Sequence, residues 1–199
     1  KSLSLENQHK LMTVKVESEV LRETQLVVCL LFQYAGMSFV DFAHLKERNI
    51  KNGILDYNRQ KTGTPMRLEI LDTAELMRKE LMGDKKPASG YLFPFLSGTK
   101  TGYEAYLEYN AALSRFNRNL KALKKAAGIA SDVTSYTIRH SFAMALKEQN
   151  VPIEMISELL GHKSIKTTQI YLRSFSLEKM TEVNSTCFGC VYNYVSKVG

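Results

Sequence analysis

Two short stretches concentrate side chains that can handle an anion: Tyr136-Thr-Ile-Arg139-His140-Ser-Phe-Ala143, and Leu159-Leu-Gly-His162-Lys-Ser-Ile-Lys-Thr-Thr-Gln-Ile-Tyr171. On a helix, Arg139 and His140 share their segment with the apolar residues Ile138, Phe142, Ala145 and Leu146. Their side must therefore open on a cleft or make a buried pair. A guanidinium is charged at every accessible pH, so an arginine there needs an anion. His162 follows a Leu-Leu-Gly helix stop, and Tyr171 comes nine residues later at the far end of a short helix. Both can fold back toward one site. Alone, each has a plain reading, the histidine as a cap or surface residue and the tyrosine as one of ten.

The elements that must position these residues follow from periodicity. Residues 5–15 and 17–34 read as helices, the second with an apolar face through Val20, Leu21, Leu26, Val27, Leu30 and Leu31, which makes it the central core helix. Ser38 is placed to cap a short buried helix. From residue 49 the pattern turns extended: 54–58, a turn at 61–65, then 66–71 with Met66, Leu68 and Ile70 alternating, a β-hairpin. A helix follows over 73–82, capped by Asp72 or Thr73, and residues 91–96 read as a short buried segment. A long helix over 103–127 carries the stripe Leu113, Phe116, Leu120 and Leu123, with Arg115, Arg118, Lys121, Lys124 and Lys125 crowding its second half. Further helices are expected over 135–149, 152–160 (with Pro152 in its first turn), 165–173 and 177–184.

At 199 residues with 44% hydrophobic and 24% charged content, the chain is a globular protein able to bury its own core. No run approaches the roughly 18 apolar residues that span a bilayer, and the polar start does not read as a signal peptide. Three cysteines exclude a disulfide scaffold. Cys29 lies in an apolar run and reads as a small buried hydrophobe. Cys187 and Cys190 lack the second ligand pair that a tetrahedral zinc site needs and read as ordinary cysteines. The formal charge of +7 makes a polyanion the first partner to consider, although a solvated basic surface has the same signature.

Taken together, R-H-S-F-A followed by L-L-G-H-K-S-I-x-T-T-x-x-Y resembles the catalytic half of the tyrosine recombinase (phage integrase) family, in a form similar to a bacterial, Bacteroides-like subgroup. The resemblance runs over residues 13–173 and reaches motif level in its last third. It implies a mainly α fold with a small antiparallel sheet, the catalytic-domain fold of DNA breaking-rejoining enzymes. It also implies a transesterification needing no metal, ATP or other cofactor. Tyr171 would attack a DNA phosphate, form a 3′-phosphotyrosyl bond and release a 5′-hydroxyl; a second 5′-hydroxyl would reverse the step.

By the same resemblance Arg139 is the family's second arginine, and His162 donates to the same phosphate. Lys61, at the hairpin tip, is the acid for the leaving oxygen, where the residues alone suggest only an exposed turn lysine. His140 is a support residue or a hydrogen-bonded helix residue. Tyr136 stands where the family has histidine. Arg115, Arg118, Lys121, Lys125 and Lys163 would contact double-stranded DNA, the alternative for the helix being a solvated face. Residues 1–175 would form the catalytic domain, and 176–199 a segment packing on a neighbouring subunit or folding back on its own domain. The family's N-terminal core-binding domain is expected to be absent from this chain. A homotetramer on two DNA sites is implied, or a monomer for the isolated domain, with a cytoplasmic, nucleoid-associated location in bacteria and no membrane partner.

One departure matters. Aligning Gly36-Met-Ser-Phe-Val-Asp41 with the family's Gly-Leu-Arg-x-Ser-Glu segment puts Ser38 where the first catalytic arginine belongs, and Ala35 precedes the glycine. The chain is then slow, recruits another cation such as Arg48 or Lys46, or is inactive. Two other readings stand beside recombination: a type IB topoisomerase, and a DNA-binding module that has lost cleavage.

Overall fold

The computed structural model describes residues 2–85, 87, 90–172 and 180–181. Three helices open the chain: α1 (Leu5–Thr13), α2 (Glu19–Gln33) and α3 (Phe39–Ala43). Ser4 and Ser38 cap α1 and α3, each accepting a bond from a first-turn N–H that has no partner inside its helix. Every residue of α2 from Thr24 through Leu31 is buried. It is the central helix, packed by α1 and by three later helices.

A 3-10 turn (Glu47–Asn49) leads into an antiparallel sheet of three strands in sequential order, β1 (Ile50–Lys51), β2 (Ile54–Asn58) and β3 (Pro65–Glu69). Leu55 and Tyr57 point into the core while Asp56 and Asn58 face out, the period of two of a half-buried strand. The register pairs Leu55 with Leu68 and Tyr57 with Met66. The hairpin expected around Lys61 is therefore present, with β1 added to it.

Helix α4 (Asp72–Met82) forms as expected but is not capped by Asp72 or Thr73. Its N-cap is Leu71, which makes no side-chain cap bond. Asp72 lies inside the first turn, where negative charge favours the helix N-terminus. The Thr73 hydroxyl instead donates to Gln33 Oε1 of α2 at 2.9 Å. The remaining helices are α5 (Gly102–Ala126), α6 (Ser135–Glu148), α7 (Ile153–Leu159) and α8 (Ile165–Tyr171). Pro152 is the N-cap of α7, one residue before its first turn.

The apolar residues collect in two clusters. The larger joins α2, α3, the sheet, α4 and α5 with Leu92, Phe93 and Leu96, and contains the stacked pairs Phe39–Phe116 and Phe42–Phe93, with centroids 4.6 and 4.2 Å apart. The smaller joins α6, α7 and the end of α8 through Ala143, Ile156, Leu160 and Leu172. Cys29 is buried, and burial pushes its thiol up to about 11, so it packs as a small hydrophobe. Cys187, Cys190, the 187–195 stretch and most of the helix expected over 177–184 lie outside the described residues. Among the described residues no helix is long and apolar enough to cross a membrane.

Candidate active site

The two clusters meet along a seam, and buried arginines bridge it. Arg139, on α6, is only 6% exposed. Its Nη1 donates to Gly36 O at 2.8 Å, and its Nη2 donates to Leu160 O. Gly36 lies close against α6: a Cβ there would meet Phe142 at 2.7 Å. Phe142 and Arg139 are three residues apart and share that contact, so the apolar and cationic sides of α6 are adjacent. Arg139 thus ties the α2–α3 turn to the end of α7.

A second buried cation, Arg59, was not singled out from the sequence. It follows β2, is 7% exposed, and its backbone closes the base of the hairpin turn through Arg59 N–H to Thr64 O and Gly63 N–H to Arg59 O. Nε faces Asp41 Oδ2 at 3.4 Å, and Nη1 donates to Leu160 O at 3.0 Å and Gly161 O at 3.1 Å. Leu160 O therefore accepts from both guanidinium groups. Among the described residues the Nη2 of Arg59 has no protein partner, which leaves its two N–H donors available. The signal was present: Leu55, Tyr57 and Arg59 lie two apart along a strand, so the alternation that turns the first two inward turns Arg59 inward as well.

Asp41 explains what the Ser38 segment does in place of an arginine. Its carboxylate is 1% exposed and accepts from Ser38 Oγ at 2.5 Å, from the Gln60 N–H at 2.7 Å and from Arg59. Ser38 and Asp41 dock the base of the hairpin and aim Arg59. The two cations proposed as replacements lie elsewhere. Lys46 sits over the Tyr91 ring, 5.3 Å from its centroid, and Arg48 is exposed on the 3-10 turn.

His162 is half-buried just beyond Gly161. Burial pushes its imidazole down to about 4, and the charges of Arg139, Arg59 and Lys61 push in the same direction. These three charges are positive, so they and burial both favour the neutral form of His162. His162 Nδ1 lies 2.8 Å from Thr168 Oγ1. The structure thus brings Arg139, expected from the sequence, and Arg59 together at Leu160 O, with His162 and Lys61 close enough for their charges to interact.

Lys61 is exposed at the hairpin tip. Tyr171 is the last residue of α8, and Lys147 on α6 holds the end of that helix by donating to Leu172 O at 2.6 Å. His140 is half-buried beside Arg139, its imidazole lowered by burial. Tyr136, one turn before Arg139, is 64% exposed.

On α5, Arg115, Arg118, Lys121 and Lys125 are exposed, as is Lys163 after α7. Residues 118, 121 and 125 are three and four apart and form one helix face. Lys124 is otherwise engaged: it donates to Ser131 O at 2.8 Å and faces Asp132 at 3.4 Å, bracing the loop after α5.

The model of the "Phage integrase family" matches residues 1–178. The chain is 52% identical over 54 residues to tyrosine recombinase XerD of Lacticaseibacillus casei, covering 27% of this chain and 18% of that protein. It is 41% identical over 75 residues to tyrosine recombinase XerC of Rickettsia typhi, covering 38% of this chain and 24% of that protein. The matched stretches thus span roughly a quarter or less of those relatives. Among solved structures, XerA recombinase has the same fold with a TM-score of 0.68 at 20% identity, over 94% of this chain and 63% of that one. A lambda integrase dimer bound to a COC′ core site follows at 0.63 and 18% identity, over 88% of this chain and 50% of that one. With the seam of arginines built on that fold and the family model running through α8, the chain belongs to the phage integrase family of tyrosine recombinases.

Proposed function

We propose that residues 1–175 are the DNA-cutting and rejoining domain of a site-specific recombinase acting through Tyr171. One observation carries this reading: Arg59 and Arg139 share Leu160 O beside His162, Lys61 acts electrostatically on that imidazole, and Arg59 Nη2 has no protein partner among the described residues. Such an arrangement suits a phosphate whose charge grows in the transition state, where preorganised donors are most effective. The Tyr171 oxygen bonds to phosphorus as its proton passes to solvent water, and the bond from phosphorus to the 5′-oxygen breaks. Lys61 protonates that oxygen, while Arg59, Arg139 and the ring N–H of His162 hold the non-bridging oxygens. Arg59 takes the part of the first arginine that Ser38 does not supply. His140 supports Arg139, and Tyr136 offers a hydroxyl to the same phosphate.

Duplex DNA lies along Arg115, Arg118, Lys121 and Lys125 of α5, with Lys163 next to His162. Four protomers act on two sites in the bacterial cytoplasm. The test is covalent capture: the chain and its Tyr171→Phe variant are incubated with duplex carrying the recombination site, then run on a denaturing gel. An adduct that requires Tyr171 is the expected result, and joining to a partner duplex separates recombination from strand swivelling. DNA binding without any adduct would leave a DNA-binding module, the reading favoured by Ser38 at the arginine position.

A further inference from the structure

Thr168 lies on α8, three residues before Tyr171, and is 0% exposed. Its hydroxyl is 2.8 Å from Nδ1 of His162, and that nitrogen is the only side-chain hydrogen-bond partner of the hydroxyl among the described residues. A hydroxyl carries one proton to donate, whereas a neutral imidazole donates at one nitrogen and accepts at the other. If Nδ1 carried the ring proton, the threonine would accept it, and its own proton would be left without an acceptor in a fully buried place. That arrangement is disfavoured. Both groups are satisfied only when Thr168 donates to Nδ1, which leaves the ring proton on Nε2.

We infer that Thr168 is a positioning residue: its hydroxyl holds His162 in the Nε2–H form, so the helix that ends in Tyr171 also sets the donor atom of the histidine beside the two arginines. Burial and the three positive charges acting on the ring, which favour its neutral form, agree with this assignment. The consequence for cleavage rests on the reading of these groups as the phosphate site. Docking of α8 then brings in the nucleophile and prepares His162 in one movement, and a chain with α8 displaced loses both.

Nitrogen NMR of the His162 ring, assigned with a His162→Gln variant, tests this without DNA. The full chain is expected to show Nδ1 as an acceptor nitrogen and Nε2 bearing the proton. Thr168→Val should mix the two forms and slow cleavage about 10- to 100-fold, the scale seen when the orienting partner of a functional histidine is lost. Thr168→Ser should restore both the ring form and the rate. A proton on Nδ1 in the unmodified chain overturns the inference, and so does a Thr168→Val variant that keeps the Nε2–H form and the full rate. If Thr168→Val does not fold, the ring spectra of the unmodified chain and of Thr168→Ser decide. Because the spectrum needs no cleavage, a chain with the Nε2–H form and no DNA adduct would sink the recombinase reading and leave the role of Thr168 intact.

Discussion

At the scale of the residue, two guanidinium groups share Leu160 O. Arg59→Ala should lower the cleavage rate about 10²- to 10³-fold, the usual loss for one preorganised donor at a developing oxyanion. Arg59→Lys should recover only part of it, since a point charge cannot bond Asp41, two carbonyls and a phosphate at once; single-turnover cleavage measures both. His162 gives a pH prediction. Its folded value is about 4 against an ordinary 6.5. The unfolded chain therefore binds a proton near pH 6.5 that the folded chain refuses until about pH 4. Stability falls as pH drops through that window and is untouched by this group above it. His140, also lowered by burial, acts in the same direction, so His162→Gln should flatten part of the decline in urea midpoints measured between pH 7 and 4. Arg139 and His162 stand out in the sequence because each sits in a spaced motif, whereas Lys61 stands out only through the family resemblance. Arg59 does not, because Asp41 and the Leu160 and Gly161 carbonyls are brought to it by tertiary folding and only strand alternation marks it as inward.

At the scale of the element, the hairpin and α7 must hold Arg59 between them. Gly161 is where they touch: its φ is +59°, and a Cβ there would meet Met66 Sδ at 2.5 Å and Arg59 Cδ at 2.6 Å. Gly161→Ala combines a left-handed backbone, about 1–2 kcal/mol for a residue with a side chain, with overpacking of about 1–3 kcal/mol. It should lower the melting temperature and, by displacing Arg59, slow cleavage as well. Asp41→Ala should be harsher still. Removing one partner of a buried pair costs about 3–5 kcal/mol, and the Gln60 bond that docks the hairpin is lost with it. A chemical denaturation curve reads that loss directly. The elements themselves were legible wherever a period ran long, as in α2, α5 and the alternating β2 and β3. The start of α4 was misread because Thr73 had a tertiary partner, Gln33, that no local pattern reveals.

At the scale of the molecule, two apolar clusters are bridged by buried arginines, and α5 carries an exposed basic face. If the face follows a phosphate backbone, replacing Arg118, Lys121 and Lys125 by Gln should reduce the salt dependence of DNA affinity by about one unit of slope per lost contact, roughly three in all. An unchanged slope would return the helix to a merely solvated face. The mainly α architecture with its small sheet was legible from the order of periods along the chain, while the seam was not, since it is made by contacts between distant segments. The measurement that tests the central claim most directly is the rate of covalent adduct formation on saturating site DNA, compared between the unmodified chain and Arg59→Ala. An adduct at Tyr171 is expected, forming about two to three orders of magnitude more slowly in the variant while DNA is still bound. An unchanged rate in Arg59→Ala, or no adduct in the unmodified chain, would contradict that claim.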